Sequence, residues 1–220
     1  MFISWHAITN LASFSVITPA ALAITLWLWL GHAWRLSLWW VGLFIAGMAI
    51  VVASKITFIG WGIGYRDYDF TGFSGHVVRA TAIAPVLLYL ISQRASLGWR
   101  YLAVLTGYGF AILIAISRVM VRAHSPSESV MGWLLGAVIS IWMLYLLHRA
   151  PVIRIRHWLI SLLLAGILWL SYLYATPTPT QRWITQVALY LSGHDRPYIR
   201  VTWQLAPKSW RGTKPSDTEI

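Results

Sequence analysis

Apolar runs of roughly 16–20 residues, separated by short polar stretches, recur along most of this chain, and a run of that length crosses a bilayer as a helix. They fall at residues 11–30, 38–53, 75–92, 101–116, 129–147 and 158–174. Inside hydrocarbon every backbone N–H and C=O needs an internal partner, so such runs fold as helices. The expected class is therefore all-α: a polytopic membrane helical bundle of about six transmembrane helices, with its polar chemistry gathered at one membrane face. Pro19 in the first run is tolerated there as a kink. Thr176-Pro177-Thr178-Pro179 stops the last run, which divides the chain into a membrane domain over residues 1–175 and a polar, basic tail over 176–220. In that tail Trp183, Ile184, Val187, Ala188 and Leu191 recur at helical spacing and predict a short helix on the membrane interface. The last dozen residues read as disordered, and no internal repeat is visible.

Composition agrees with this class and excludes others. Charged residues make up 10% of the chain and hydrophobic ones 58%, whereas a soluble domain carries about 25% charged residues. The 15 Trp and 10 Tyr suit the two bilayer interfaces. The formal charge of +11 does not point to nucleic acid, because Lys and Arg are scattered between apolar spans instead of forming a stripe. The absence of cysteine rules out disulfides, a thiolate nucleophile and Cys-based metal sites. No Lys or Arg precedes the first apolar run, so no secretory signal peptide is expected.

The ionisable residues that remain are concentrated. Lys55 follows the second run, Phe73-Ser74-Gly75-His76 opens the third, and the stretch from Ser117 through Arg118, Arg122 and His124 to Glu128 joins the fourth to the fifth. Taken singly, an arginine at a span end snorkels to headgroups and a histidine caps a helix; taken together at the ends of neighbouring spans they indicate function. If His124 lies near the start of a helix, Glu128 is one turn on and shares its face. A carboxylate there takes the proton of one imidazole nitrogen and leaves the other as a nucleophile. Arg118 offers a planar fork suited to phosphate. Ser74 and Gly75 supply a hydroxyl and N–H groups at a helix N-terminus, which favour anions. His76 in the first turn is placed to act as general acid. Asp67 and Asp69 read as shaping the glycine-rich loop 60–69, and Ser192-Gly193-His194 in the tail as a chance repeat of a tripeptide.

These residues resemble the signature of the type 2 phosphatidic-acid phosphatase superfamily, which includes membrane lipid-phosphate phosphatases, bacterial acid phosphatases and vanadium haloperoxidases. Its motifs are Lys-x6-Arg-Pro, Pro-Ser-Gly-His and Ser-Arg-x5-His-x3-Asp. The third is matched from Ser117 to His124 and the second at Ser74-Gly75-His76, so the motifs cover residues 50–135. The resemblance implies that His124 attacks phosphorus and forms a phosphohistidine, oriented by Glu128, while His76 protonates the leaving group. Lys55, Ser74, Gly75 and Arg118 would hold the phosphate oxygens, with no metal and no cofactor. Three positions depart from the family: Glu128 stands for Asp, Phe73 for Pro, and Gly62 and Ile63 for the Arg-Pro of the first motif. Arg66 or Arg79 is the candidate for the missing arginine.

The expected activity is hydrolysis of a lipid phosphomonoester or pyrophosphate, such as undecaprenyl pyrophosphate, phosphatidic acid or phosphatidylglycerol phosphate. Phosphoryl transfer to a second lipid needs the same cradle and stays open, as do a metal-dependent hydrolase built on His124 and Glu128 and a degenerate lipid-binding relative. Partners are the lipid phosphate and membrane lipids; the oligomeric state is undetermined. Setting aside Lys55, Arg79 and Arg118 as site residues, the loops with Arg35, Arg94, Arg100, Arg149, Arg154 and Arg156 carry the larger basic count. By the positive-inside rule that face is cytoplasmic, so the site of a bacterial-type inner-membrane enzyme would face the periplasm.

Overall fold

The computed structural model describes residues 4–153 and 180–205, with single positions 162, 165, 166 and 169 between them. The helices are α1 (Trp5–Asn10), α2 (Phe14–Leu30), α3 (Trp34–Trp61), α4 (Gly75–Ser92), α5 (Leu97–Met120), α6 (Pro126–Arg149), α7 (Thr180–Ser192) and α8 (Arg200–Leu205). Four of them, α3 to α6, are long and apolar enough to cross a membrane, and α2 is a shorter apolar helix. No strand forms among the described residues beyond a single bridge between Tyr65 and Phe70. This is a polytopic helical membrane bundle. The sixth expected span, 158–174, and the last dozen residues lie outside the described residues.

Half of α4's apolar stretch is buried, against 39% for α6 and 22% for α3 and α5, so α4 is the axis of the bundle and α2, α3, α5 and α6 pack on it. Their outer faces carry exposed Ile45, Leu105, Ile112, Val138 and Ile141, as lipid-facing surfaces do. Lipid tails are as apolar as leucine, so helices in a membrane associate through close packing at small residues and a few hydrogen bonds. Both occur here. Trp40 Nε1 of α3 donates to the Ala21 carbonyl of α2 at 3.2 Å, and the Tyr108 hydroxyl of α5 meets Ser140 Oγ of α6 at 3.0 Å. Gly136 of α6 lies so close to α4 that a Cβ there would sit 2.6 Å from both the Val78 carbonyl oxygen and Thr81 Cβ. Gly136→Val is accordingly expected to force α6 from α4 and destabilise the bundle by about 1–3 kcal/mol. An unchanged melting temperature in detergent would show that the contact has slack.

Helix boundaries depart from the expected spans where polar ends were involved. The apolar count ended the second span at residue 53, but α3 continues to Trp61 and carries Lys55 on the helix, not in a loop. Backbone hydrogen bonding runs on until a residue takes a left-handed conformation, here Gly62 at φ 66°. The glycine-rich stretch thus begins inside a helix, and only its remainder is a loop, with a 3₁₀ turn at Arg66–Tyr68. Likewise α5 extends to Met120 and holds Ser117 and Arg118 in its last turns. The antiparallel order of α3 to α6 brings the end of α3, the start of α4, the end of α5 and the start of α6 to one side.

Candidate active site

The spacing between Arg118 and His124 is one helix-ending turn. The Arg118 carbonyl accepts from Ala123 N–H at 3.1 Å and His124 N–H at 3.3 Å, and the Val119 carbonyl accepts from Arg122 N–H at 2.9 Å. With Arg122 left-handed at φ 55°, this is the Schellman pattern. An arginine there costs about 1 kcal/mol relative to glycine. Arg122, for which the sequence offered no role, is therefore the pivot of the turn.

The spacing from His124 to Glu128 is the start of the next helix. Ser125 is the N-cap of α6, Pro126 follows it, and Glu128 closes a capping box with Ser125. Ser125 Oγ accepts from Glu128 N–H at 3.3 Å, and Glu128 Oε2 accepts from Ser125 N–H at 3.2 Å. The same Oε2 accepts from His124 Nδ1 at 2.7 Å. Since an ionised carboxylate only accepts, Nδ1 carries the proton and Nε2 keeps its lone pair. Glu128 is 1% exposed and His124 13%. The longer arm of Glu, which distinguishes this motif from the family's Asp, folds back in the box to reach both groups.

Glu128 Oε1 is equally occupied. It accepts from Thr71 N–H at 2.9 Å, from the Thr71 hydroxyl, and from Arg200 Nη2 at 2.5 Å. Neither Thr71 nor Arg200 was foreseen from the sequence. The Glu128 main-chain carbonyl takes Ser74 N–H at 3.2 Å, which fastens the start of α4 to the start of α6.

Ser74 caps α4 by position, yet its hydroxyl makes no capping bond. Its Oγ is buried without a hydrogen-bond partner, and so is Arg118 Nε. Arg118 Nη1 donates to Thr9 Oγ1 of α1 at 3.1 Å, which holds the guanidinium in place. His76 and Arg79 stand on the first two turns of α4, where Arg79 Nε donates to the Gly75 carbonyl at 2.9 Å. His76 lies within electrostatic reach of Arg79, Arg118, His124 and Lys55, and Lys55 within reach of Arg79, Glu128 and Arg118. The structure therefore brings together Lys55, Ser74, Gly75, His76, Arg118, His124 and Glu128, and Arg79 joins them. Arg66 is placed differently: its guanidinium stacks over the Trp203 ring, 5.2 Å from the centroid.

Burial holds the His124 imidazole below the ordinary histidine pKa; Glu128 pulls it upward, and Lys55 and Arg118 add to the lowering. A neutral imidazole with Nδ1–H fixed on a carboxylate is a nucleophile in waiting. Buried donors left unpaired, Ser74 Oγ and Arg118 Nε, carry a desolvation cost that an anion would relieve. The arrangement suits attack on the phosphorus of a bound phosphate. Among the described residues no three His, Asp or Glu side chains gather in a way that could hold a metal ion.

Comparison with known proteins agrees with this chemistry. A family model described as PAP2 superfamily matches residues 60–151, a range that holds His76, Arg118, His124 and Glu128 but not Lys55. The "Uncharacterized 22.5 kDa protein in cps region" of Klebsiella pneumoniae is 37% identical over 212 residues, covering 94% of this chain and 100% of the relative. No solved structure matches the chain. With the signature residues assembled around His124 and a relative similar over its whole length, the chain belongs to the PAP2 superfamily.

Proposed function

We propose that this protein is a metal-independent membrane phosphatase that hydrolyses a lipid phosphomonoester or pyrophosphate through a phosphohistidine. The observation that carries this reading is the His124 Nδ1–Glu128 Oε2 bond of 2.7 Å beside the unpaired donors Ser74 Oγ and Arg118 Nε. The phosphate oxygens are held by Arg118, Lys55, Ser74 Oγ and the free N–H groups at the start of α4. His124 Nε2 attacks phosphorus, the bond to the leaving oxygen breaks, and His76 gives that oxygen its proton. Water then attacks the phosphohistidine with His76 as base, and inorganic phosphate leaves. Glu128 Oε2 accepts a hydrogen bond from Nδ1–H throughout and stabilises the cationic ring that forms. The lysine and arginines carry the charge compensation that Mg²⁺ supplies in other phosphoryl transfers.

The lipid character of the substrate rests on the setting. The site lies where α3, α4, α5 and α6 end, and the lipid-facing surfaces of those helices adjoin it, so an acyl or prenyl tail stays in the bilayer while its phosphate enters the cluster. The loop charges support a site on the outer side of the membrane, and the proposed setting is a bacterial-type inner membrane.

The test is phosphate release by purified protein in detergent with EDTA present, across phosphatidic acid, phosphatidylglycerol phosphate and undecaprenyl pyrophosphate, followed from pH 4 to 9. Release is expected to survive chelation. Because His124 must be unprotonated to attack and its pKa is lowered, the acid limb of kcat/KM should fall below the ordinary histidine value of about 6.5. Loss of activity on chelation would remove the mechanism. Label passing to a second lipid instead of to solution would make the protein a phosphotransferase.

A further inference from the structure

The end of α3 and the C-terminal tail are fitted to one another. A helix leaves its last carbonyls without partners, and the tail supplies donors for those of α3. Tyr198 N–H donates to Ile59 O at 2.9 Å, His194 Nδ1 to Gly60 O at 2.7 Å, and Trp203 Nε1 to Gly62 O at 2.8 Å. His194 is thus a structural donor at the end of α3. Ala188 of α7 and Trp203 of α8 are buried with Phe58 and Ile59 in a second apolar cluster, and Trp203 meets Phe58 edge to face at 5.2 Å.

Gly62 makes this docking possible. It is left-handed, and a Cβ there would lie 2.9 Å from the Tyr198 ring. Gly62 also stands where the first motif of the family has its arginine. The position that lost a guanidinium is therefore the seat of the tail, and the tail carries Arg200. Its Nη2 lies 2.5 Å from Glu128 Oε1 and donates to Thr71 Oγ1 at 3.1 Å, while its Nε lies 3.4 Å from Asp69 Oδ1. Gln204 Nε2 holds Asp69 Oδ1 from the other side at 2.6 Å. A carboxylate as buried as Glu128 needs a countercharge, and the neutral His124 on its other oxygen does not provide one.

We propose that Arg200, delivered by a tail seated on Gly62, is a positioning residue of the active site that neutralises and locks Glu128, so that Glu128 orients His124 without drawing a proton onto its Nε2. The proposal rests on the reading of His124 as the nucleophile. His124 faces Glu128 on α6, Lys55 on α3, His76 on α4 and Arg118 on α5, with Arg79 next to His76 and with Arg200 and Asp69 behind Glu128. Of these, Arg200 balances the carboxylate directly. Its removal leaves the Glu128 charge uncompensated on that side and the protonated His124 more favoured.

The experiment is a histidine NMR titration of the full chain in micelles, with His124→Gln assigning the resonance, for the wild type, Arg200→Gln and Arg200→Lys. Arg200→Gln keeps a donor and much of the shape without the charge. It is expected to raise the His124 midpoint by about one pH unit, to move the acid limb of kcat/KM with it, and to lower kcat by about 10–100-fold. Arg200→Lys should restore most of the midpoint. An unchanged or lowered midpoint in folded Arg200→Gln overturns the proposal, whatever the effect on rate. Wild-type protein that releases no phosphate removes the functional reading, while the titration still decides whether Arg200 governs His124.

Discussion

His124→Ala is expected to end phosphate release, with kcat falling by on the order of 10⁵–10⁶-fold. Among the described residues the substitution deletes the one imidazole at the site whose ring nitrogen is held by a carboxylate, and with it the atom that bonds to phosphorus in the proposed mechanism. His76 does not stand in, because no carboxylate bond fixes its tautomer among the described residues. The fold should persist: Glu128 keeps Thr71, Arg200 and Ser125 as donors, so α6 retains its capping box. Stopped-flow quench into alkali, where phosphohistidine survives, should show labelled wild-type protein and unlabelled mutant. Release near the wild-type rate from His124→Ala would eliminate the covalent mechanism and return the metal-dependent and water-activating alternatives.

Glu128→Gln should be nearly as damaging although it changes one atom. Oε1 faces the donors of Thr71 and Arg200, and Oε2 faces those of His124 and Ser125. A glutamine has one acceptor end and one donor end. With its oxygen toward Thr71 and Arg200, the NH₂ meets Ser125 N–H donor to donor and obliges His124 Nδ1 to accept. The imidazole then moves its proton to Nε2, and the nucleophilic lone pair disappears. Turned over, the NH₂ confronts Arg200 instead. Loss of the correct tautomer at unchanged geometry costs on the order of 10⁴-fold in kcat where a histidine depends on a carboxylate, and a comparable fall is expected here, with KM little altered. A Glu128→Gln enzyme within tenfold of wild type would mean that His124 does not need this carboxylate.

The two largest effects fall on residues that the sequence already marked, and the reason is their locality. Arg118, His124 and Glu128 are joined by a Schellman turn and a capping box, structures whose geometry is set within a dozen residues. Their spacing is therefore visible in the chain. The same holds for the amphipathic helix over Thr180–Ser192, read from its apolar period and present in the structure. The apolar run and the helix part company at polar residues: apolar counting stops before Lys55, whereas backbone hydrogen bonds carry α3 on to Trp61.

Arg66 is near the vacant first-motif position in sequence, yet it stacks on Trp203. Arg200 meets Glu128 across 72 residues, and no periodicity or spacing relates the two. A glycine in the place of an arginine was the single cue, and it reads as a loss until Tyr198 is seen against it. The Thr71 contact was hidden in the same way, in a loop whose path depends on Phe73 N–H reaching Ser54 Oγ of α3 at 3.2 Å.

By itself the sequence determined the membrane class, the helical architecture and most of the residues that gather at the candidate site, because apolar period, bilayer thickness and helix-terminus geometry act over short stretches. Only the tertiary structure decided which buried donors stand open, which charge balances Glu128 and how the tail reaches the site. Those depend on which helix ends meet, and that is settled by packing at contacts such as Gly136 and Gly62, where the absence of a side chain lets distant segments touch.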